Sequence, residues 1–204
     1  MKNTIINVGR QFGSGGKSIA AELSRKLGIP VYDNELLKKA AQKSGLHEET
    51  FKGSDESKHL FSLANIFSSN RFYGSMTGSG ISEGELFKIQ SDAIREIAST
   101  GSAIFVGRAS DYVLRDMECL DVFITAPLEK RAERVSERMG ITIEDALKLI
   151  PRKDAERKNY YDFFTFGDNW GQASNYDLCI DSSILGIEKT ADFIIEFGRS
   201  GNLL

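Results

Sequence analysis

Residues 13–18 read Gly13-Ser14-Gly15-Gly16-Lys17-Ser18, a glycine-rich run that carries one lysine and ends on a hydroxyl residue. The β-branched run at residues 4–8 predicts a strand directly before it. Apolar residues at helical spacing, from Ile19 to Leu27, predict a helix directly after it. A loop between a strand and a helix offers free backbone amides and the positive end of the helix dipole, so this junction is predicted to bind an anion.

The residue types of this loop suit a polyphosphate ligand. Glycines let the main chain close around phosphate oxygens, Lys17 can neutralise their charge, and the Ser18 hydroxyl can help to hold Mg²⁺. The dinucleotide-binding pattern G-x-G-x-x-G does not fit, because Ser18 stands where its last glycine or alanine is required. The predicted nucleotide-binding residues are therefore Gly13, Ser14, Gly15, Gly16, Lys17 and Ser18.

The loop departs from the P-loop pattern GxxxxGK[ST] at one position, since Gln11 stands where the first glycine belongs. Shifting the pattern by one residue places Arg10 at that glycine and Gly16 at the lysine. The sequence alone leaves both registers open. We favour the one in which Lys17 is the phosphate-binding lysine.

Composition and charge narrow the class of protein. The chain has 204 residues, of which 41% are hydrophobic and 27% charged, and this favours a single domain with its own core. Its net charge of -3 argues against binding along a nucleic-acid backbone. The two cysteines and two histidines show no metal-ligand spacing. Because residues 1–8 do not resemble a signal peptide and no apolar run approaches about 20 residues, we expect a cytoplasmic protein without membrane contact.

Predicted strands alternate with predicted helices along the chain. Strands are expected at residues 4–8, 30–32, 103–106, 121–126 and 178–180. This order predicts an α/β fold of three layers, the P-loop NTPase fold, in which helices flank a parallel sheet and ligands bind at the carboxyl ends of the strands. Thr142 and Asp145 are predicted to form a capping box for one helix, which Pro151 should end or kink.

Three later segments resemble nucleoside-monophosphate kinases, and specifically the bacterial cytidylate-kinase-like family. Val31-Tyr32-Asp33 is similar to the segment that ends the second strand in that family. Val106-Gly107-Arg108 and, further on, Arg131-Ala132-Glu133-Arg134 resemble its glycine-arginine loop and its arginine-bearing helix. Lys153-Asp154-Ala155-Glu156-Arg157 is similar to its lid sequence. The resemblance covers most of the chain and is weakest at residues 45–84.

The resemblance implies roles for individual residues. Asp33 would face the reacting phosphates and Mg²⁺, Arg108 would hold the acceptor monophosphate, and Arg157 would close on the transferring phosphoryl group. Arg131 and Arg134 would lie near the donor nucleotide and belong to the nucleotide-binding set. The catalytic residues implied in this way are Lys17, Asp33, Arg108 and Arg157, and the substrate-binding residues are Asp33, Lys39, Arg108, Arg152, Asp154 and Arg157.

The same resemblance implies how the chain is organised. Residues 1–204 would form a single P-loop kinase domain with small helical acceptor-binding and lid segments. The acceptor-binding insertion is predicted at residues 34–100, and its polar, glycine-rich part at residues 68–84 is interpreted as a mobile loop. The lid is predicted at residues from about 140 to 170. Lys39 stands where the family carries a phosphate-binding arginine, so the identity of the acceptor stays open.

Structural explanations compete with some of these roles. Arg131 and Arg134 lie beside Glu129 and Glu133 and could belong to a salt-paired helix surface. Asp33 could cap a helix that follows it. The aromatic residues between positions 160 and 170 could stack on a base, but a packed hinge is the simpler explanation.

Phosphoryl transfer requires a protein mainly to align two anions and to spread their charge, without a covalent nucleophile. Glycine amides, one lysine, several arginines and Mg²⁺ meet that requirement. We therefore predict an ATP- and Mg²⁺-dependent phosphotransferase, and the resemblance implies a small-molecule nucleoside monophosphate as its acceptor, with CMP and dCMP as first candidates. A kinase of another small molecule and a nucleotide-binding sensor without catalysis are the alternatives. The sequence predicts no oligomeric state.

Overall fold

The core of the protein is a five-stranded parallel sheet in a computed structural model that describes residues 3–33, 83–167 and 170–204. The strand order is β2-β3-β1-β4-β5, and every neighbouring pair is parallel. The strands are β1 Ile5–Arg10, β2 Val31–Tyr32, β3 Ala103–Val106, β4 Leu120–Thr125 and β5 Leu178–Asp181. Parallel neighbours need crossover connections, and helices supply most of them here.

Helices cover both faces of this sheet. They are α1 Gly16–Leu27, α2 Glu83–Thr100, α3 Ser110–Val113, α4 Leu128–Met139, α5 Ile143–Thr165 and α6 Ser182–Ser200, with a 3₁₀ turn at Ala173–Asn175. Ile6 and Val8 of β1 pack in a core with residues of α1 and α6, whereas Ile5 packs with Phe105 and with residues of α2. Successive strand residues point to opposite faces, so one strand serves both cores. The predicted three-layer α/β fold is confirmed.

The helix ends follow the predicted capping signals. The Asp145 amide donates to the Thr142 hydroxyl at 3.1 Å, and the Thr142 hydroxyl donates to the Asp145 carboxylate at 2.8 Å. Gly28 ends α1 in the left-handed conformation, with φ 70°. Pro151 was predicted to end or kink its helix, but α5 does not end there and continues to Thr165. Burial of Ala146 and Ile150 against α4 outweighs the backbone hydrogen bond that proline cannot donate.

The strand register brings four loop starts to one edge of the sheet. Arg10 lies beside Ile124 at the end of β4, and Thr125 lies beside Asp181 at the end of β5. Val8 lies beside Val106, which ends β3. The segments after β1, β3, β4 and β5 therefore begin at the same edge, which is where ligands bind in such sheets.

Most of the predicted acceptor-binding insertion falls outside the described residues. Lys39 and nearly all of the predicted mobile loop at residues 68–84 belong to the part that is not described; its last two residues begin α2. The division of the chain into insertion and lid stays a prediction. None of the helices in residues 3–33, 83–167 and 170–204 combines the length and apolarity of a membrane span.

Candidate active site

The phosphate loop joins β1 to α1, as the sequence predicts. Gly13 and Gly15 adopt left-handed conformations with φ of 82° and 83°. The first backbone hydrogen bond of α1 runs from the Ile19 amide to the Gly15 carbonyl at 2.9 Å. The amides of the three preceding residues stand at the start of a helix, where amides have no intrahelical partner. Lys17 and Ser18 are exposed, so the mouth of the helix is open to a ligand.

The loop glycines are required by close packing beneath the loop. A Cβ on Gly13 would lie 2.8 Å from the Val135 side chain, and one on Gly15 would lie 2.5 Å from Ile187. A Cβ on Gly16 would lie 2.6 Å from the Cβ of Arg10. Real Cβ atoms do not approach other atoms so closely. The loop is therefore held tightly from below while its upper side stays open.

Gln11, which departs from the P-loop pattern, is accommodated without strain. Its amide donates to the Ile124 carbonyl at 3.0 Å, and its side-chain carbonyl accepts the Thr125 hydroxyl at 2.5 Å. Gln11 is not among the residues with positive φ, so this position does not need glycine. A glutamine here ties the loop to the end of β4.

Lys17 and Asp33 come together at the loop. The Lys17 ammonium lies 2.8 Å from the Asp33 carboxylate, which follows β2. The Lys17 side chain is 76% exposed and that of Asp33 is 19% exposed. An ion pair this open to solvent contributes little to stability. The pair places one positive and one negative side chain beside the loop amides.

Arg131 is buried and faces the phosphate loop, so it is not a solvated surface charge. Its guanidinium donates to the Asp154 carboxylate on α5 and to the Phe12 carbonyl, at 2.5 and 3.3 Å. The other carboxylate oxygen of Asp154 accepts the Phe12 amide at 2.6 Å. Together these contacts join α4 and α5 to the backbone of one loop residue, Phe12.

Arg134 also reaches the loop from α4. Its guanidinium donates to the Ser14 carbonyl at 3.1 Å and to the Ser182 hydroxyl at 2.9 Å. The Ser182 hydroxyl in turn donates to the Ser14 carbonyl at 2.6 Å. Ser182 was not predicted as a site residue; the available signal was a hydroxyl directly after the last strand, at the edge where the loops converge.

Three arginines lie at the same edge of the sheet: Arg10, Arg108 and Arg157. Arg157 on α5 donates to the Arg10 carbonyl at 3.1 Å. Burial lowers the pKa of Arg157 to about 10, although Asp154 acts in the opposite direction; Arg108 lowers it further. Burial also lowers the pKa of Arg10, and the neighbouring Arg157 and Arg108 lower it further. Such a concentration of positive charge favours an anionic ligand.

The loop after β3 has an unusual backbone. Gly107, Arg108 and Ala109 all have positive φ, at 71°, 66° and 53°. A Cβ on Gly107 would lie only 1.6 Å from the Arg10 guanidinium, so glycine is required there. Arg108 places its guanidinium 5.0 Å from the centre of the Tyr160 ring. Left-handed residues other than glycine are unfavourable and tend to occur at functional sites.

The predicted residues are not all brought together. Seven of them lie around the phosphate loop and the adjoining edge of the sheet: Lys17, Asp33, Arg108, Arg131, Arg134, Asp154 and Arg157. Arg152, by contrast, is exposed on α5 and has no partner among the described residues. Lys39 lies outside the described residues. Arg10 entered the sequence prediction only as an alternative register, yet its guanidinium packs against the Arg108 loop.

Known structures share this architecture. A crystal structure of an uncharacterized protein from Eubacterium ventriosum is 28% identical, with a TM-score of 0.74, covering 98% of this chain and 99% of that one. Shikimate kinase from Acinetobacter baumannii shares the fold, with a TM-score of 0.53 at 13% identity, over 100% of this chain and 97% of that one. The APS kinase of Mycobacterium tuberculosis has a TM-score of 0.51 at 15% identity, covering 96% and 97%. The fold that these two proteins share with this chain is that of the P-loop kinases.

Sequence comparison defines the family within that class. Residues 5–184 match the profile of the cytidylate kinase-like family. The cytidylate kinase of Methanopyrus kandleri is 28% identical over 199 residues, covering 92% of this chain and 89% of that protein. That of Pyrobaculum aerophilum is 27% identical over 195 residues, covering 95% and 91%. The chain belongs to the cytidylate kinase-like family, as its sequence motifs predict.

Proposed function

We propose that this protein transfers the γ-phosphoryl group of ATP to a nucleoside monophosphate, with Mg²⁺ and with CMP or dCMP as the acceptor. The observation that carries the proposal is the convergence of Arg10, Arg108 and Arg157 beside the phosphate loop. Two anionic substrates must be aligned for this reaction, and the site offers a loop for one and arginines for the other. The names of the curated relatives agree with this choice of acceptor.

The donor nucleotide is assigned to the phosphate loop. Its phosphates accept hydrogen bonds from the amides of residues 13–18, and Lys17 contributes positive charge. Arg131 and Arg134 contact the Phe12 and Ser14 carbonyls of the loop, and these contacts support assigning both arginines to the donor side. Their main contacts are with the loop backbone, so we propose that they position the loop.

Oxygen atoms suited to Mg²⁺ lie next to this loop. The Ser18 hydroxyl and the Asp33 carboxylate carry the oxygen ligands that Mg²⁺ prefers; Ser18 follows Lys17 in the chain, and Asp33 lies 2.8 Å from the Lys17 ammonium. The ion would neutralise charge on the transferring phosphate. Asp33 contacts Lys17 and would exchange this partner for the ion or its water.

The acceptor is assigned to the arginine side of the site. Arg108 binds its phosphate, and Arg157 faces the transferring phosphoryl group. Asp154, also assigned to this side, joins α5 to the phosphate loop through the Phe12 amide. Lys39 and Arg152 are further candidates for the acceptor side.

Coupled ADP-release assays with ATP, Mg²⁺ and a panel of monophosphates test the proposal. Arg108→Ala is expected to lower kcat/KM for the acceptor on the order of 10³-fold, because it removes charge stabilisation of the reacting phosphates. Arg115→Ala is the control, since Arg115 is exposed and its side chain contacts Tyr112 alone within the described part of the chain. Removal of Mg²⁺ with a chelator should abolish turnover. Absence of turnover with every monophosphate contradicts the proposal.

Lys17→Ala separates the kinase proposal from a catalytically silent sensor. Both functions require ATP to bind at the loop, and an unchanged ATP affinity in Lys17→Ala contradicts both. ATP binding without transfer to any acceptor would favour the sensor. The sensor is suggested by the departure from the P-loop pattern at Gln11 and by the altered acceptor lobe; the hydrogen bond from Thr125 to Gln11 supports a loop that keeps its attachment to β4 despite that departure.

A further inference from the structure

Gln90 on α2 carries a buried hydrogen-bond donor that has no partner. The residue is 6% exposed, and its side-chain carbonyl accepts the Tyr160 hydroxyl at 2.7 Å. Its amide nitrogen, in contrast, has no hydrogen-bond acceptor within residues 3–33, 83–167 and 170–204. Leaving such a donor unpaired in the interior is unfavourable, so a buried unpaired donor that also lies next to a binding site is a candidate for contact with a ligand atom.

Tyr160 links this amide to the site described above. Its ring lies 5.0 Å from the Arg108 guanidinium, while its hydroxyl donates to Gln90. The hydroxyl holds the carbonyl end of the Gln90 amide, so the NH₂ end is left to face another group. Gln90 is therefore separated from Arg108, the proposed acceptor-phosphate residue, by a single aromatic side chain.

The surroundings of Gln90 are aromatic. Phe87 lies one helical turn before it on α2 and stacks on Phe164, with ring centres 4.0 Å apart and an angle of 8° between planes. Tyr160 contacts both rings, at 6.4 and 4.9 Å between centres. Flat aromatic rings beside one oriented polar group suit a planar heterocycle better than a polyhydroxylated ring.

We propose that Gln90 recognises the acceptor: its amide N–H donates to a carbonyl oxygen or ring nitrogen on the base of the nucleoside monophosphate. This inference rests on the proposed function and adds a residue that selects the base. Tyr160 acts as a positioning residue, because it fixes which end of the Gln90 amide faces the substrate. A buried amide discriminates strongly, since an acceptor without a matching atom leaves it unpaired.

The experiment compares steady-state kinetics of Gln90→Met with those of the wild type over CMP, UMP, AMP and GMP. Methionine keeps the length of the side chain and removes the donor together with the carbonyl that accepts the Tyr160 hydroxyl; Tyr160→Phe measures the second loss by itself. The KM for the preferred acceptor is expected to rise about tenfold or more, which corresponds to one lost hydrogen bond to a ligand, and the KM for ATP to stay unchanged. The preference among bases is expected to shrink.

Ser91→Ala is the matched control. The Ser91 hydroxyl is also buried and unpaired in the described part of the chain, but it lies on the next face of the helix, about 100° around the axis. Its KM for the acceptor should not change. Tyr160→Phe is a second variant that keeps the ring under Arg108; it should raise the acceptor KM by a smaller factor, with ATP unaffected.

The outcomes separate the inference from the proposed function. If the wild type phosphorylates a monophosphate and Gln90→Met keeps the same acceptor KM and base preference, the inference is wrong and the function stands. An equal rise of the acceptor KM in Ser91→Ala also overturns the inference, because the effect would then reflect the packing of α2. If the wild type phosphorylates no monophosphate, the inference and the proposed function are both contradicted. Calorimetry of the monophosphates with the wild type and Gln90→Met should show the same loss in acceptor affinity.

Discussion

The Ser14 carbonyl oxygen accepts hydrogen bonds from two side chains of different elements, Arg134 on α4 and Ser182 at the start of α6. Ser14 is itself fully buried, and its hydroxyl donates back to the Gln11 carbonyl at 2.9 Å. A peptide held on its carbonyl side has a fixed orientation. The next amides of the loop are therefore aimed in one direction before any nucleotide binds, which reduces the entropy lost on binding.

Ser182→Ala tests this effect at the level of one hydroxyl. Loss of the buried hydrogen bond should lower the free energy of unfolding by about 1 kcal/mol and weaken ATP binding several-fold. Denaturant titration and calorimetry with ATP measure the two effects. Ser183→Ala is the control, because the Ser183 amide, not its hydroxyl, makes the contact with Asp181. Equal changes of stability and ATP affinity in both variants would contradict the role assigned to the Ser182 hydroxyl.

At the scale of elements, α5 depends on one carboxylate for its attachment to the phosphate loop. Asp154 accepts from Arg131 and from the Phe12 amide, and the two side chains of the ion pair are only 16% and 10% exposed. Three elements thus meet at one buried charge pair. Removing one partner leaves the other charge buried without compensation, which is more damaging than the loss of an exposed pair.

Asp154→Ala should therefore destabilise the protein by about 3 kcal/mol or more. Asp154→Asn should be milder, because the amide oxygen can still accept the Phe12 N–H. Glu133→Gln removes a partner from an ion pair with Lys130 whose side chains are 54% and 55% exposed. It should change the free energy of unfolding by less than about 1 kcal/mol. Urea unfolding measures the free energy of unfolding of the three variants. Equal values would show that buried Arg131 tolerates the loss of the Asp154 carboxylate.

At the scale of the whole molecule, one carboxyl in the middle of the sheet makes stability depend on pH. Burial raises the pKa of Asp121 on β4 to about 6, although the hydrogen bond from Asn7 acts in the opposite direction; Asp111 and Asp177 raise it further. Its ordinary pKa is 3.8. The folded state therefore holds a proton between these two values that the unfolded state has released.

Stability should fall as pH rises from about 4 to 6, because the unfolded chain binds fewer protons than the folded one in this range. Burial also raises the pKa of Asp111, which acts in the same direction. Asp121→Asn keeps an acceptor for Asn7. It should reduce the dependence of the free energy of unfolding on pH and raise Tm at pH 7. Asp116→Asn, at an exposed carboxyl, controls for the lost charge. Thermal unfolding at several pH values measures how stability changes with pH. An unchanged pH dependence in Asp121→Asn would contradict the role of Asp121.

The sequence by itself determined the phosphate loop, the order of strands and helices, and the family. Each of these depends on residues that are close together in the chain: glycines at a strand end, a capping pair at Thr142 and Asp145, and a glycine-arginine loop after a buried strand. Lys17, Asp33, Arg108 and Arg157 were predicted from such motifs, and those side chains lie around one edge of the sheet.

Only the tertiary structure decided which side chains shape that loop. Ser182 reaches a carbonyl 168 positions earlier, and Asp154 reaches an amide 142 positions earlier, so no local pattern could reveal either contact. The same holds for the inward orientation of Arg131, for the helix that continues through Pro151, and for the unpaired amide of Gln90. These features depend on packing between distant segments, where burial outweighs local propensity.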